Sequence, residues 1–188
     1  MKLWFMNHYH QAGASLIEVL VAILLLSFGM LSLGSMMSFA IQLPKLASYR
    51  ATAANLAAGH IERIRANPTE FQKSNSAYTV SLSYDDTSND IPLVDCLYPA
   101  CAPSTLATMD NAATQRAVRL ALPAGGVLVT CDTGLCSAAS YGNIWIVWQD
   151  PSTFAALDPS SSDNCPTQVT QTYTTPPKPH CLYVRFKI

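Results

Sequence analysis

The chain has 188 residues and a formal net charge of −1, with 11 basic against 12 acidic side chains. So even a balance sets up no field favouring nucleic acid or an anionic lipid surface, and no nucleic-acid binding is expected. Charged residues make up only 12% of the chain, about half the usual share, which leaves Ser, Thr, Asn and Gln to supply much of the surface.

Residues 1–13 hold Lys2, His8 and His10 and no acid. They read as a leader kept on the cytoplasmic side, because basic residues flanking a span tend to stay inside. From Ala14 to Leu33 the single charge is Glu18. Twenty helical residues rise about 30 Å, enough to cross a bilayer core. An acidic side chain at mid-membrane costs roughly 2.5–3.5 kcal/mol. Glu18 lies near one end, where the cost is lower, but it still calls for a partner. A freed amino terminus on a neighbouring chain is one, and a cut after Gly13 makes Ala14 that terminus. Two plainer readings compete. One is a signal anchor with a chance glutamate; the other is a secretory signal cut after Ser38-Phe39-Ala40. The apolar run far exceeds the ~7–15 residues of a secretory signal core, which argues against the second.

Gly13 followed by Ala14-Ser15-Leu16-Ile17-Glu18-Val19-Leu20-Val21-Ala22 resembles the class III signal of type IV prepilins and type II secretion pseudopilins. The resemblance implies that a prepilin peptidase in the inner membrane cuts between Gly13 and Ala14 and methylates Ala14. It also implies that Glu18 pairs with an adjacent subunit's terminus during assembly. Ala14 stands where most members have Phe, and the family tolerates small residues there.

Beyond Pro44, Leu46, Tyr49, Ala53, Leu56, Ala57, His60, Ile61 and Ile64 recur in steps of three and four, the pattern of one apolar helix face. Arg50, Glu62, Arg63 and Arg65 fall on the other face, and Asn67-Pro68 ends the helix. The expectation is one long helix from Ala14 to Ala66, apolar first and amphipathic later, with Gly29, Gly34 and Pro44 as its weak points. His60 is most simply a partly buried member of the apolar face. The run Ala53-Ala54-Asn55-Leu56-Ala57-Ala58-Gly59-His60-Ile61-Glu62-Arg63-Ile64-Arg65-Ala66-Asn67-Pro68 resembles the PilV group of minor pilins, the type IV pilus modification proteins.

Tyr78, Val80, Leu82 and Tyr84 alternate with polar residues and predict a half-buried strand. Asp85 to Asp95 reads as a solvated loop; its paired acids lack the oxygen spacing of an EF-hand. Pro103-Ser104 predicts a second helix whose apolar side is Leu106, Met109, Ala113, Ala117 and Leu120, stopped by Pro123-Ala124-Gly125-Gly126. A strand at 127–131 follows, then a buried central strand over Ile144-Trp145-Ile146-Val147-Trp148. Residues 151–180 suit a long loop with a strand at 168–173. In the last strand, Leu182, Val184, Phe186 and Ile188 face in, and Tyr183, Arg185 and Lys187 face out.

The six cysteines, Cys96, Cys101, Cys131, Cys136, Cys165 and Cys181, all follow the span, where disulfides persist if that part is periplasmic. They allow 15 pairings. Nearest-neighbour spacing favours Cys96 with Cys101, Cys131 with Cys136 and Cys165 with Cys181. The spacing C-x4-C is not that of zinc ribbons or thioredoxin-like sites, so neither metal nor cofactor is expected. With no G-x-S-x-G or H-E-x-x-H, and only His60 and His180 as histidines after the span, a membrane-anchored periplasmic enzyme is the weakest reading.

The cysteine pair, short helix, Pro-Gly turn and strand into a further cysteine also resemble the PilV group, and pilins often close their variable region with a carboxy-terminal disulfide loop. The implied fold is α+β: a type IV pilin fold whose long first helix, transmembrane in its first half, packs on an antiparallel sheet. A short extra helix and disulfide-closed loops complete it. The chain then divides into leader 1–13, membrane and assembly helix 14–41, and periplasmic domain 42–188. The implied role is non-enzymatic, priming pilus assembly and forming the tip complex with other minor pilins, the major pilin and a large tip adhesin. A type II secretion minor pseudopilin is the alternative.

Overall fold

The computed structural model describes residues 15–84, 91, 95–97, 99–149, 165–173 and 178–188. Residues 1–14, 85–90, 92–94, 98, 150–164 and 174–177, and with them the expected leader, cut and most of the expected solvated loop from Asp85 to Asp95, lie outside the described residues. Two units, Met1–Leu43 and Pro44–Ile188, are distinguished.

In the first unit, helix α1 (Leu16–Ala66 in full) is apolar all round. Leu16, Leu20, Leu24, Phe28 and Leu31 are all exposed, as suits a helix facing lipid or other helices rather than water. Two of its hydroxyls bond to its own backbone: Ser27 Oγ donates to Ile23 O at 2.7 Å and Ser35 Oγ to Ser32 O at 2.8 Å. Leu16–Ser38 has the length and composition to cross a membrane.

In the second unit, α1 continues through Pro44 and buries Ala53, Ala57, His60, Ile61 and Ile64, the face its three-and-four spacing dictates. Asn67 ends it: its N–H donates to Ile64 O, and its Nδ2 donates to Pro103 O at 2.8 Å. Pro68 then opens α2 (Pro68–Phe71). The next helix, α3, spans Pro103–Ala121 and starts on a proline, whose missing N–H costs nothing at that position.

The sheet has three antiparallel strands in the order β1 (Gly126–Cys131), β2 (Gly142–Trp148), β3 (His180–Phe186). Val127 pairs with Ile146, and Ile144 with Val184. One face of the sheet carries Val127, Val129, Ile144, Ile146, Trp148, Val184 and Phe186, and these join the buried face of α1, Phe71 and Val118 in the main core. On the other face Val147 and Cys181 pack with Tyr84, Val169 and Tyr173. Further along that face Trp145 stacks on Tyr183, and Arg185 lies over the Tyr141 ring and pairs with Asp132. Disulfides join Cys96 to Cys101, Cys131 to Cys136 and Cys165 to Cys181, each with Cα atoms 5.2 Å apart. The long first helix, the antiparallel sheet, the additional helices and the disulfides make an α+β pilin fold.

Three local expectations are corrected. Residues 78–84 are not a strand: Tyr78, Val80 and Tyr84 are buried as their alternation requires, but Val80 makes a single bridge to Val129. Side chains take the neighbouring backbone groups. Tyr78 N donates to Ser76 Oγ, Thr79 Oγ1 to Ser76 O, and Val127 N to Ser83 Oγ, a competition that Ser and Thr commonly win against a ladder. Residues 168–173 are not a strand either. Helix α4 spans Thr167–Thr172, started by Val169 N and Thr170 N donating to Pro166 O. Lastly, α3 is rotated from its apolar reading. Ala107, Asp110, Asn111, Thr114 and Val118 are buried, whereas Leu120 is 90% exposed. Partners waiting on α1 and at residues 77–78 outweigh the burial of a few apolar side chains.

Candidate functional site

Two places hold polar chemistry in apolar surroundings. The first is the start of α1. The backbone N–H groups of Glu18 and Val19 donate to Ser15 O at 2.9 and 3.3 Å, which sets Glu18 in the first helical turn. A carboxylate there lies at the positive end of the helix dipole, worth about 0.3–1 kcal/mol. Leu16 and Ile17 beside it are 82% and 68% exposed. No other side chain from Leu16 to Ser38 is ionisable. Among the described residues Glu18 has no salt-bridge partner. Gly13 and Ala14 lie outside the described residues.

The second place lies between α1 and α3. His60, 1% exposed, sets Nδ1 2.8 Å from Thr114 Oγ1. Thr114 Oγ1 donates to Asp110 O at 2.9 Å, and Arg63 Nη1 donates to Thr114 Oγ1 and to Asp110 O, each at 3.3 Å. Tyr78 donates its hydroxyl to Asp110 Oδ2 at 2.9 Å, and Asn111 Nδ2 donates to Ala77 O at 2.6 Å. Burial first, then the Arg63 charge, lowers the His60 pKa from 6.5 to about 4. Burial, reinforced by the Asp110 charge, pushes the Tyr78 phenol up, so it stays a neutral donor. The sequence marked only His60 of this set. Asp110, Asn111 and Thr114 at steps of one and three in an otherwise amphipathic helix were the available signal for the rest. Among the described residues no group of three or more His, Cys, Asp or Glu could hold a metal ion.

A family model described as the prokaryotic N-terminal methylation motif matches residues 9–34. The match spans the leader end, the expected cut and most of the apolar part of α1. No curated protein and no solved structure matches the chain. The chain therefore carries a prepilin-type amino terminus, which supports a type IV pilin-like protein or pseudopilin anchored by its first helix. Such a motif implies processing by a prepilin peptidase and an assembly context.

Proposed function

We propose that the protein is a minor pilin of the PilV type, a structural subunit that helps prime a type IV pilus. The observation that carries this reading is a lone Glu18 in the first turn of an apolar helix, five residues after Gly13 and inside the matched methylation motif. In this reading the peptidase frees and methylates Ala14, and residues 14–41 hold the subunit in the inner membrane, with the domain from 42 onward in the periplasm. Glu18 then meets the terminus of a neighbouring pilin subunit, in a complex whose partners are other minor pilins, the major pilin and a large tip adhesin. Three disulfides favour an oxidising compartment for that domain. They also weigh toward a pilus over a type II secretion pseudopilus.

The test is to shear pili from cells and analyse them by mass spectrometry. The expected result is a small amount of this chain, starting at N-methylated Ala14, and fewer pili when its gene is deleted. Intact piliation with lost protein secretion on deletion would move the assignment to the pseudopilus. A mature chain starting at Ile41 would remove the prepilin reading altogether.

A further inference from the structure

We propose that His60 is an acid-sensitive latch: uptake of a proton at its buried Nε2 releases α3 from α1. This goes beyond the assembly role and does not depend on it.

The hydrogen-bond network favours one tautomer. Thr114 has one hydroxyl proton, and that proton goes to Asp110 O at 2.9 Å. With its proton so placed, Thr114 Oγ1 accepts at 2.8 Å from His60 Nδ1, and this arrangement puts the ring proton on Nδ1 rather than leaving a buried Nε2–H without an acceptor. The lone pair of the neutral ring then sits on Nε2. That atom is buried and has no hydrogen-bond partner among the described residues. Protonation there creates a buried N–H with no acceptor and a buried cation, a combination folded proteins strongly disfavour.

The surrounding charges make it worse. On α1, Arg63 donates to the same Thr114 oxygen that His60 uses, so a fixed positive charge stands one hydroxyl away. On α3, the Asp110 carboxylate is engaged by the Tyr78 hydroxyl, and its carbonyl by Thr114 and Arg63. From residues 76–84, Tyr78 presents its ring edge-on to the imidazole with centroids 6.2 Å apart, and its phenol is neutral. Among the described residues no carboxylate is hydrogen-bonded to the ring. The least costly response to a proton is for α3 to move off α1, which lets water reach Nε2. Besides Ala107 and Val118, which α3 buries in the main core, it brings the polar Asp110, Asn111 and Thr114 to the junction, and their hydration on release offsets part of the cost.

The sign follows from the depressed pKa. Neutral His60 is favoured in the closed state, so the latch is complete above about 6.5, weakens as pH falls, and reaches its floor near the closed-state value of about 4. One proton gives about a tenfold loss of closed over open state per pH unit in that window.

The test uses the full chain in detergent with its disulfides intact. Amide exchange is followed by mass spectrometry from pH 7.5 to 3.5 and corrected for the intrinsic exchange rate. Peptides from Pro103–Ala121 should lose protection about tenfold per unit between pH 6.5 and 4, while β2 peptides keep theirs. His60→Gln, which cannot titrate, should flatten the α3 profile; this also separates His60 from Asp110. In the wild-type chain, imidazole NMR should show the Nδ1–H tautomer and a midpoint far below 6.5, a reading that stands even if His60→Gln folds poorly. Protection of α3 that tracks β2 throughout would overturn the proposal. So would a slope retained in His60→Gln, or an imidazole that titrates near 6.5.

Discussion

Glu70 is a buried carboxylate, 2% exposed, and burial alone pushes its pKa up. The Lys73 ammonium at 2.5 Å and the Ala77 N–H at 3.2 Å outweigh that and leave the pKa below its ordinary value. The ionised group is therefore favoured by folding. Its contribution is present above about 4.5 and is lost as pH falls through the lower folded value. Glu70→Gln keeps the shape but loses the charge, so a cost of about 1–3 kcal/mol at pH 7 is expected in urea unfolding, shrinking toward pH 3. Because the His60 loss falls between 6.5 and 4, the two contributions separate on the pH axis. A second residue-scale effect sits at Gly126. A Cβ built there would overlap the backbone of Tyr84, and backbone cannot swing aside as a side-chain tip can. Gly126→Ala should cost about 1–3 kcal/mol in the same urea assay, and a neutral result would mean that residues 83–84 are not held against β1.

At the scale of elements, legibility depended on what pays for burial. The second-unit part of α1 was readable because its face is apolar at steps of three and four, and β2 because Ile144 to Trp148 is continuously apolar and central. The α3 helix was placed correctly at Pro103 but turned the wrong way, since hydrophobicity ranks Leu120 above Thr114. Only three-dimensional neighbours reveal that Thr114, Asp110 and Asn111 have partners at His60, Tyr78 and Ala77. Periodicity also set residues 78–84 on the correct face, but it is blind to the Ser76 and Ser83 hydroxyls that take the ladder's bonds. At 168–173 the helix start is a carbonyl, Pro166 O, a signal weaker than a side-chain cap. The rotated α3 has a direct consequence. Leu120→Gln should change stability by less than about 0.5 kcal/mol. Asp110→Ala, which removes the nearer acceptor of the Tyr78 hydroxyl and leaves it Arg63 O at 3.4 Å, should cost about 1–3 kcal/mol. The reverse order in urea unfolding would restore the apolar reading of this helix.

For the whole molecule, the decisive quantity is the cost of one carboxylate in an apolar helix. The matched motif ends at residue 34, so the role of the subunit turns on what Glu18 meets. If the proposed cut after Gly13 is made, the new terminus precedes Glu18 by four residues in the same chain, and a pair made within the chain recruits nobody. In the assembly proposed above, the same two groups across a subunit boundary would neutralise each other and fix the axial register of two packed helices. In the proposed reading, insertion rests on the apolar run and processing on Gly13, so neither calls on the Glu18 pair. Glu18→Ala should therefore reach the membrane and be cut after Gly13 like the wild type, yet fall at least several-fold in sheared pili or co-purified complexes. Glu18→Asp should be intermediate, since the charge remains but the reach shortens. Processing is read by gel shift and assembly by abundance in the sheared fraction. Wild-type co-assembly of Glu18→Ala would dispose of the inter-subunit pair, whereas failure of both variants to be cut would place Glu18 in peptidase recognition instead.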